Sequence, residues 1–282
     1  MDLRIGNTTG IVEGIRRDHT SSVRRLLAAG FGLIGALGLV AATLQVADSL
    51  PASAAARNNA VHPEAAGPCV SAGYSGNSAF VCQVYLDALG RPVDPTGLAT
   101  WTAALSSGVS RTQVAWDIIT SPESSTVYIT GAYKCILNRA PDPAGLAHWL
   151  AVLLAPGATP DNVDAGILGS DEAFADAGST NTGWLTLAYH CTLDRAPDPT
   201  GLATWGSALS SGTSRYQVEL LIDSSNEAHI GDLDYVYSAL NRAPDPAGLA
   251  TWLPALNSGA LNWVQVAADI FGSQEFYNLA NS

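Results

Sequence analysis

At 282 residues, with 47% hydrophobic and 13% charged side chains, the chain has the composition of a globular protein of one large or two ordinary domains, not of a disordered one. From Arg57 onward 21 Asp and Glu stand against 8 Lys and Arg, a balance of −13 that is slightly more acidic than the whole chain's −12. Such a surface repels nucleic acid and anionic lipid headgroups and disfavours both as partners.

Arg16, Arg17, Arg24 and Arg25 precede an apolar run from Leu26 to Ala47, the charge-then-apolar layout of a secretory signal. Small residues follow in Pro51-Ala52-Ser53-Ala54-Ala55-Ala56, so residues 1–56 are expected to be a signal peptide cleaved after Ala54 or Ala56. The run also has the roughly 20 residues that a bilayer span requires. An uncleaved signal anchor, held with its N-terminus inside by Arg24 and Arg25, is therefore the alternative. Either reading puts the rest of the chain outside the cytoplasmic membrane, secreted or at the cell surface, with membrane contact only through this segment if it stays attached. Arg24-Arg25-Leu26-Leu27 leaves a twin-arginine route open beside the general one.

Residues 57–80, mixed Pro, Gly, Ser and Asn, read as a leader clipped onto the first structural unit by a disulfide. All four cysteines, Cys69, Cys82, Cys135 and Cys191, lie in the exported part, where an even number suggests disulfides. Cys69 with Cys82 is the favoured local pair. Cys135 and Cys191 occupy equivalent places in two repeats, which stacked units often hold farther apart than the roughly 4.4–6.8 Å that bridged Cα atoms need. Spacing alone does not secure that second bridge. No Cys-x-x-Cys occurs, which argues against structural zinc.

Four copies of one unit follow. Arg91-Pro-Val-Asp94-Pro-Thr-Gly97-Leu-Ala-Thr-Trp101 returns as Arg139…Asp142…Gly145…Trp149, Arg195…Asp198…Gly201…Trp205 and Arg242…Asp245…Gly248…Trp252, with tryptophans stepping by 48, 56 and 47 positions. Tyr85 and Leu89, Tyr133 and Leu137, and Tyr189 and Leu193 precede three copies at i, i+4 helical spacing; the fourth has Val236 and Leu240, its tyrosines slipping to 235 and 237. A Ser/Gly turn after each tryptophan leads to a further periodic segment with Val114/Ile118, Val163/Ile167, Val218/Ile222 and Val266/Ile270. The reading is all-α: four tandem repeats over 81–130, 131–180, 181–230 and 231–282, each of two full helices and a shorter third. The longer middle step holds the polar stretch Asp176-Ala-Gly-Ser-Thr-Asn-Thr-Gly183, which predicts a hinge that pairs unit one with two and unit three with four.

The repeated polar residues read as architecture. Asp94, Asp142, Asp198 and Asp245 each precede Pro at the start of the Gly-Leu-x-x-Trp helix, the arrangement of an N-cap carboxylate with proline at the first helical position. Arg91, Arg139, Arg195 and Arg242 end the preceding helix three positions earlier, where a cation suits the helix dipole, bridges to the Asp and discourages a metal. Ser110-Arg-Thr-Gln113, Ser214-Arg-Tyr-Gln217, Asn262-Trp-Val-Gln265 and Thr159-Pro160 mark further helix starts. Trp101, Trp149, Trp205 and Trp252 share a face with the Leu three before them, so core packing is the first reading and a sugar-stacking surface the second. His148, His190 and His229 fall at unrelated places in the repeat, and no Gly-x-Ser-x-Gly, His-Glu-x-x-His, phosphate loop or Asp-x-Asp-x-Asp-Gly calcium loop occurs. No metal, cofactor or catalytic residue is expected, although a carboxylate pair such as Asp94 with Glu123 could in principle serve glycoside hydrolysis.

The unit resembles the bacterial family catalogued as domain of unknown function 4214, whose hallmark is Tyr-x-x-x-Leu-x-Arg-x-x-Asp-x-x-Gly-Leu-x-x-Trp closed by a Ser-x-Glu step. Ser121-Pro-Glu123, Ser170-Asp-Glu172, Ser225-Asn-Glu227 and Ser273-Gln-Glu275 supply that step, and the resemblance covers roughly residues 82 to 280. It implies an exported or surface-associated helical module, somewhat like the linker domains of light-harvesting antennae, without an established activity. The expected function is a non-catalytic extracellular interaction or scaffolding module at the cell envelope, whose partner is an envelope polysaccharide or an exported protein. A carbohydrate-binding array on the four tryptophans is the alternative, and a glycoside hydrolase the third reading.

Overall fold

The computed structural model of the protein describes residues 67–282. The expected signal or anchor over 1–56 and the leader up to residue 66 lie outside the described residues. Within them every regular element is a helix, and the chain is all-α. The end of the leader forms a short helix α1 (Pro68–Ser71). Unit 1 follows as α2 (Asn77–Leu89), α3 (Pro95–Ser106) and α4 (Arg111–Ile119). Unit 2 is α5 (Pro122–Leu137), α6 (Pro143–Leu153), α7 (Pro160–Leu168) and a short α8 (Asp171–Asp176). Unit 3 is α9 (Asn181–Leu193), α10 (Pro199–Ser210) and α11 (Arg215–Asp223). Unit 4 is α12 (Asn226–Ser238), α13 (Pro246–Asn257), α14 (Trp263–Gly272) and α15 (Gln274–Ala280).

Local chemistry sets these boundaries. The first helices of units 1 to 3 end at a residue of positive φ, namely Gly90 (65°), Asn138 (48°) and Asp194 (53°), and in unit 4 the turn after α12 reaches positive φ at Asn241 (54°), all residue types that tolerate the left-handed region. Each second helix starts on an Asp whose carboxylate accepts the N–H of the Gly three residues on. Ser110, Ser214 and Asn262 likewise accept the N–H three residues ahead, while Thr159 donates its own N–H to Asn162 Oδ1 at 2.9 Å. Ser121, Ser170, Ser225 and Ser273 cap the helix that opens each closing Ser-x-Glu step. That helix runs straight on as the first helix of the next unit in α5 and α12, but α8 stops at Asp176 and α15 at the chain end.

The four units close on themselves. Third helices pack across two seams, α4 against α14 and α7 against α11. The first helices are neighbours in the order α2, α5, α9, α12, and α15 returns to pack on α2. The ends of the described chain meet there. Gly67 N–H donates to the Ser282 carbonyl at 3.0 Å, Gly76 N–H to Asn281 Oδ1, and Phe80 lies edge-on to Phe276 with centroids 6.0 Å apart. Both seams use the same fastener. Arg111 of α4 sits 4.4 Å over the Tyr277 ring of α15, and Arg215 of α11 sits 4.4 Å over the Phe174 ring of α8. At the first seam α14 comes so near that a Cβ on Gly272 would lie 2.5 Å from Thr112 Cα, so only glycine fits. One continuous buried core runs through all four units, from Phe80 to Phe276.

This geometry corrects the hinge expectation. The stretch 176–183 does break a helix, with Gly178 and Ser179 at positive φ. It does not divide two bodies, because units 2 and 3 on either side are packed through α7 and α11. Cys135 of α5 and Cys191 of α9 are bridged with a Cα separation of 6.0 Å. Equivalent positions come this close because the two first helices lie side by side in a ring, which an open stack does not impose. Cys69 and Cys82 form the other bridge, with a Cα separation of 5.9 Å, and tie α1 to α2.

Chain entropy ranks the two bridges. Replacing Cys135 and Cys191 together by Ser is expected to cost about 4 kcal/mol and replacing Cys69 and Cys82 about 3 kcal/mol, because the first closes the longer loop. Urea denaturation of the two double variants checks the order; an equal or reversed order would show that the bridges do not act mainly through the unfolded chain.

Candidate functional site

Four equivalent clusters hold the repeated side chains. In unit 1, Trp101 Nε1–H donates to Tyr85 Oη at 3.1 Å, and the Arg91 guanidinium lies over the Tyr85 ring with its carbon 5.1 Å from the centroid. The same guanidinium forks onto Glu123, with Nε 2.5 Å from Oε1 and Nη2 2.9 Å from Oε2. Its Nη1 donates to the Pro92 carbonyl at 3.0 Å and to Asp94 Oδ2 at 3.2 Å. Asp94 in turn caps α3 through Gly97 N–H at 2.9 Å.

The other units repeat this arrangement. Trp149, Trp205 and Trp252 donate to Tyr133, Tyr189 and Tyr237 at 3.1, 3.0 and 3.2 Å. Arg139, Arg195 and Arg242 lie 5.1, 5.0 and 4.8 Å over those rings. They fork onto Glu172, Glu227 and Glu275, with Nε to Oε1 distances of 2.7, 2.5 and 2.6 Å. They lie 3.6, 3.3 and 3.6 Å from Asp142, Asp198 and Asp245. The displaced tyrosine of the fourth copy is resolved by the backbone. The end of α12 tightens so that Ala239, Leu240 and Asn241 N–H groups bond three residues back, to Val236, Tyr237 and Ser238. That shortening by one residue carries Tyr237 to the place held elsewhere by Tyr85, Tyr133 and Tyr189.

The repeated glycine belongs to the same lock. A Cβ on Gly97, Gly145, Gly201 or Gly248 would lie 2.3, 2.5, 2.3 or 2.4 Å from the hydroxyl of the unit's own tyrosine. Glycine therefore lets the second helix descend onto the Tyr hydroxyl, which receives the indole N–H. The tryptophans are half-buried and pack against the core. The Arg and Glu side chains stay more than a third exposed, so each ion pair adds little by itself and fixes geometry more than it adds stability.

The resolved carboxyl and guanidinium titrations at these clusters favour the charged forms, while burial pushes the Tyr189 hydroxyl up and keeps it neutral. The Arg91, Arg139 and Arg242 hydrogen bonds hold the Glu123, Glu172 and Glu275 carboxyls below the ordinary range. The N–H groups of Gly97, Gly145 and Gly201 do the same for Asp94, Asp142 and Asp198. A fully ionised carboxylate clamped by a guanidinium is a poor general acid, and Asp94 with Glu123 is such a pair. His148 is edge-on to Trp149 at 4.7 Å, His190 is in the last turn of α9, and His229 Nδ1 lies 2.6 Å from Asn257 Oδ1. Among the described residues no group of three or more His, Cys, Asp or Glu could hold a metal ion.

Sequence reasoning missed two features. The Glu of each Ser-x-Glu step was legible as a first-turn carboxylate, but not as the partner of an arginine 32 or 33 residues earlier. The signal available was the constant step between them. The second is a cavity of about 400 Å³ lined by Asp161, Asp223, His229, Asp232, Asn257 and Trp263 among others. Its residues come from three units and follow no periodic motif.

With this geometry in hand, a family model described as Domain of unknown function (DUF4214) matches residues 71–128, 124–177, 165–230 and 232–280. It names no enzyme family. No curated protein and no solved structure matches the chain.

Two outcomes follow from the lock. Gly201→Ala should destabilise the protein by about 1–3 kcal/mol through overpacking, and Tyr189→Phe, which removes the clashing hydroxyl, should make the double variant less unstable than the two single costs combined. Additive costs in a denaturation cycle would disprove the contact. The depressed carboxyls contribute stability above their unfolded values of 4.5 for Glu123 and 3.8 for Asp94, which is lost as pH falls through the folded values. Arg91→Gln should therefore flatten the acid limb of the Tm–pH profile below about pH 4; an unchanged limb would contradict the clasp.

Proposed function

The chain belongs to the family described as Domain of unknown function (DUF4214), and from that premise we propose that it works as a non-catalytic interaction or scaffolding module outside the cytoplasmic membrane, bound to an envelope polysaccharide or to another exported protein. The observation that carries this reading is that Tyr, Arg, Asp, Gly, Trp and Glu are spent on one another in all four copies. Residues committed to a repeated internal lock supply a rigid surface rather than a reactive centre. Nucleophilic or acid–base catalysis usually needs one asymmetric constellation with a perturbed proton affinity.

Two further features support the location and the mode of binding. Two disulfides suit an oxidising compartment, and no helix of the described residues is long and apolar enough to cross a membrane. The second helices are the least buried, α3 and α10 with no buried residue and α6 and α13 with only Leu153 and Leu256, so the ring presents four similar helical faces to solvent. Repeated presentation favours binding through avidity, in which weak equivalent contacts add up. The acidic balance makes nucleic acid an unsuitable partner.

Retention of the oxidised protein on insoluble bacterial envelope material tests the reading. Scaffolding predicts retention that Trp205→Phe leaves unchanged, reversed by soluble polysaccharide fragments if the partner is polysaccharide and not reversed if it is an exported protein. Retention abolished by the fragments and by Trp205→Phe would replace it with the carbohydrate-binding array. Release of soluble sugar, lost on Asp94→Asn or Glu123→Gln, would replace it with the hydrolase.

A further inference from the structure

The two seams of the ring are built alike but filled differently. At the first, the residues just after Val114 and Val266 are Ala115 and Ala267, both buried between α4 and α14. At the second, the residues just after Val163 and Val218 are Asp164 and Glu219, 6% and 0% exposed between α7 and α11. An apolar seam thus has an acidic counterpart in the same fold.

The groups around the acidic seam add to its charge. α7 brings Asp161 and no basic residue; α11 brings Asp223, and its one arginine, Arg215, is bonded to Asp171 at 2.8 Å and stacked on Phe174. α12 brings Asp232, 4% exposed, and His229 across the cavity of about 400 Å³. From α5 the Tyr128 hydroxyl donates to Asp164 Oδ2 at 2.8 Å, and from α9 the Thr192 hydroxyl donates to Glu219 Oε1. Burial, followed by the charges of Asp161, Glu219, Asp164 and Asp232, pushes the Asp223 carboxyl well above its ordinary range. Asp164, Glu219 and Asp232 are buried while Asp161 and Asp223 are half-buried along the cavity, and carboxylates this close and this poorly hydrated are held together most easily while they share protons.

We propose that the seam between units 2 and 3 is a pH-sensitive joint, closed while its carboxyls carry protons and loosened as they ionise, with the Cys135–Cys191 bridge keeping the two units together throughout. Loosening α7 from α11 widens the adjoining cavity, which already meets solvent at Asn257, Ser258 and Gly259, while the alanine seam between units 1 and 4 stays shut. The direction follows from proton linkage. A carboxyl with a raised folded value stabilises the closed form below its unfolded value of 3.8, and that stabilisation is lost as pH rises through the folded value. This is opposite to the Arg–Glu clasps, which weaken as pH falls. The joint does not depend on the identity of the binding partner.

Amide hydrogen exchange of the oxidised full-length protein, compared at about pH 5 and about pH 8 and corrected for intrinsic rates, reads the two seams against each other. Protection in α7 and α11 should fall by roughly tenfold or more, and far less in the reference helices α4 and α14, where the one raised carboxyl, Asp269, is on the exposed edge. The variant Asp164→Asn/Glu219→Gln/Asp223→Asn keeps hydrogen-bonding shapes without charge and should abolish the difference. Equal behaviour of the two seams in the wild-type protein would overturn the joint whether or not that variant folds. A folded variant that loses protection with pH as the wild type does would overturn it as well.

Discussion

A planar cation held between an aromatic face and a forked carboxylate is the interaction on which each unit depends. Arg195, at the end of the first helix, reaches over Tyr189, caps the turn beside Asp198 and takes hold of Glu227 at the far end of the unit. One side chain thereby fixes where the first helix stops, where the second begins and where the third hands over to the next unit. The Tyr hydroxyl extends that control inward, since it receives the Trp205 indole and admits the second helix only at Gly201. Half-exposed ion pairs are weak sources of stability, so the geometry matters more than the energy: the burial that stabilises the fold depends on the helices meeting at these angles.

Four such units could stack into an open solenoid. They close because two seams of the same construction lie between units 2 and 3 and between units 4 and 1, each joined by an arginine over an aromatic ring. The break between α8 and α9 therefore occupies the place that the ends of the described residues occupy between α15 and α2. The structure is one ring of four units closed at two equivalent seams, with the Cys135–Cys191 bridge beside the seam between units 2 and 3. Rigidity of this kind suits a molecule that presents surfaces, and the one seam lined with carboxyls is where the ring can respond to its surroundings.

Local signals in the sequence specify the helices. Asp-Pro starts, Ser caps and i, i+4 apolar pairs each act within a turn of helix, so the helices and the four repeats were legible from spacing alone. Contacts across units were not. Nothing near Cys135 indicates that Cys191 lies beside it, because closure is a property of the whole array. The polar run 176–183 looked like a hinge for the same reason, since polarity marks a surface loop without saying what packs on either side. Asp164 and Glu219 are the exception among cross-unit features, because the sequence itself shows them standing where the other copies have alanine, next to core positions.

The account rests on the repeated tryptophans being internal fasteners, and the exchange of their indole N–H protons measures that directly. Heteronuclear NMR of the folded, oxidised protein should show Trp101, Trp149, Trp205 and Trp252 indole protons that exchange slowly with solvent and keep their shifts when envelope polysaccharide is added. Fast exchange at these four indoles, with shifts that move on titration, would place them on a ligand-facing surface and contradict the account.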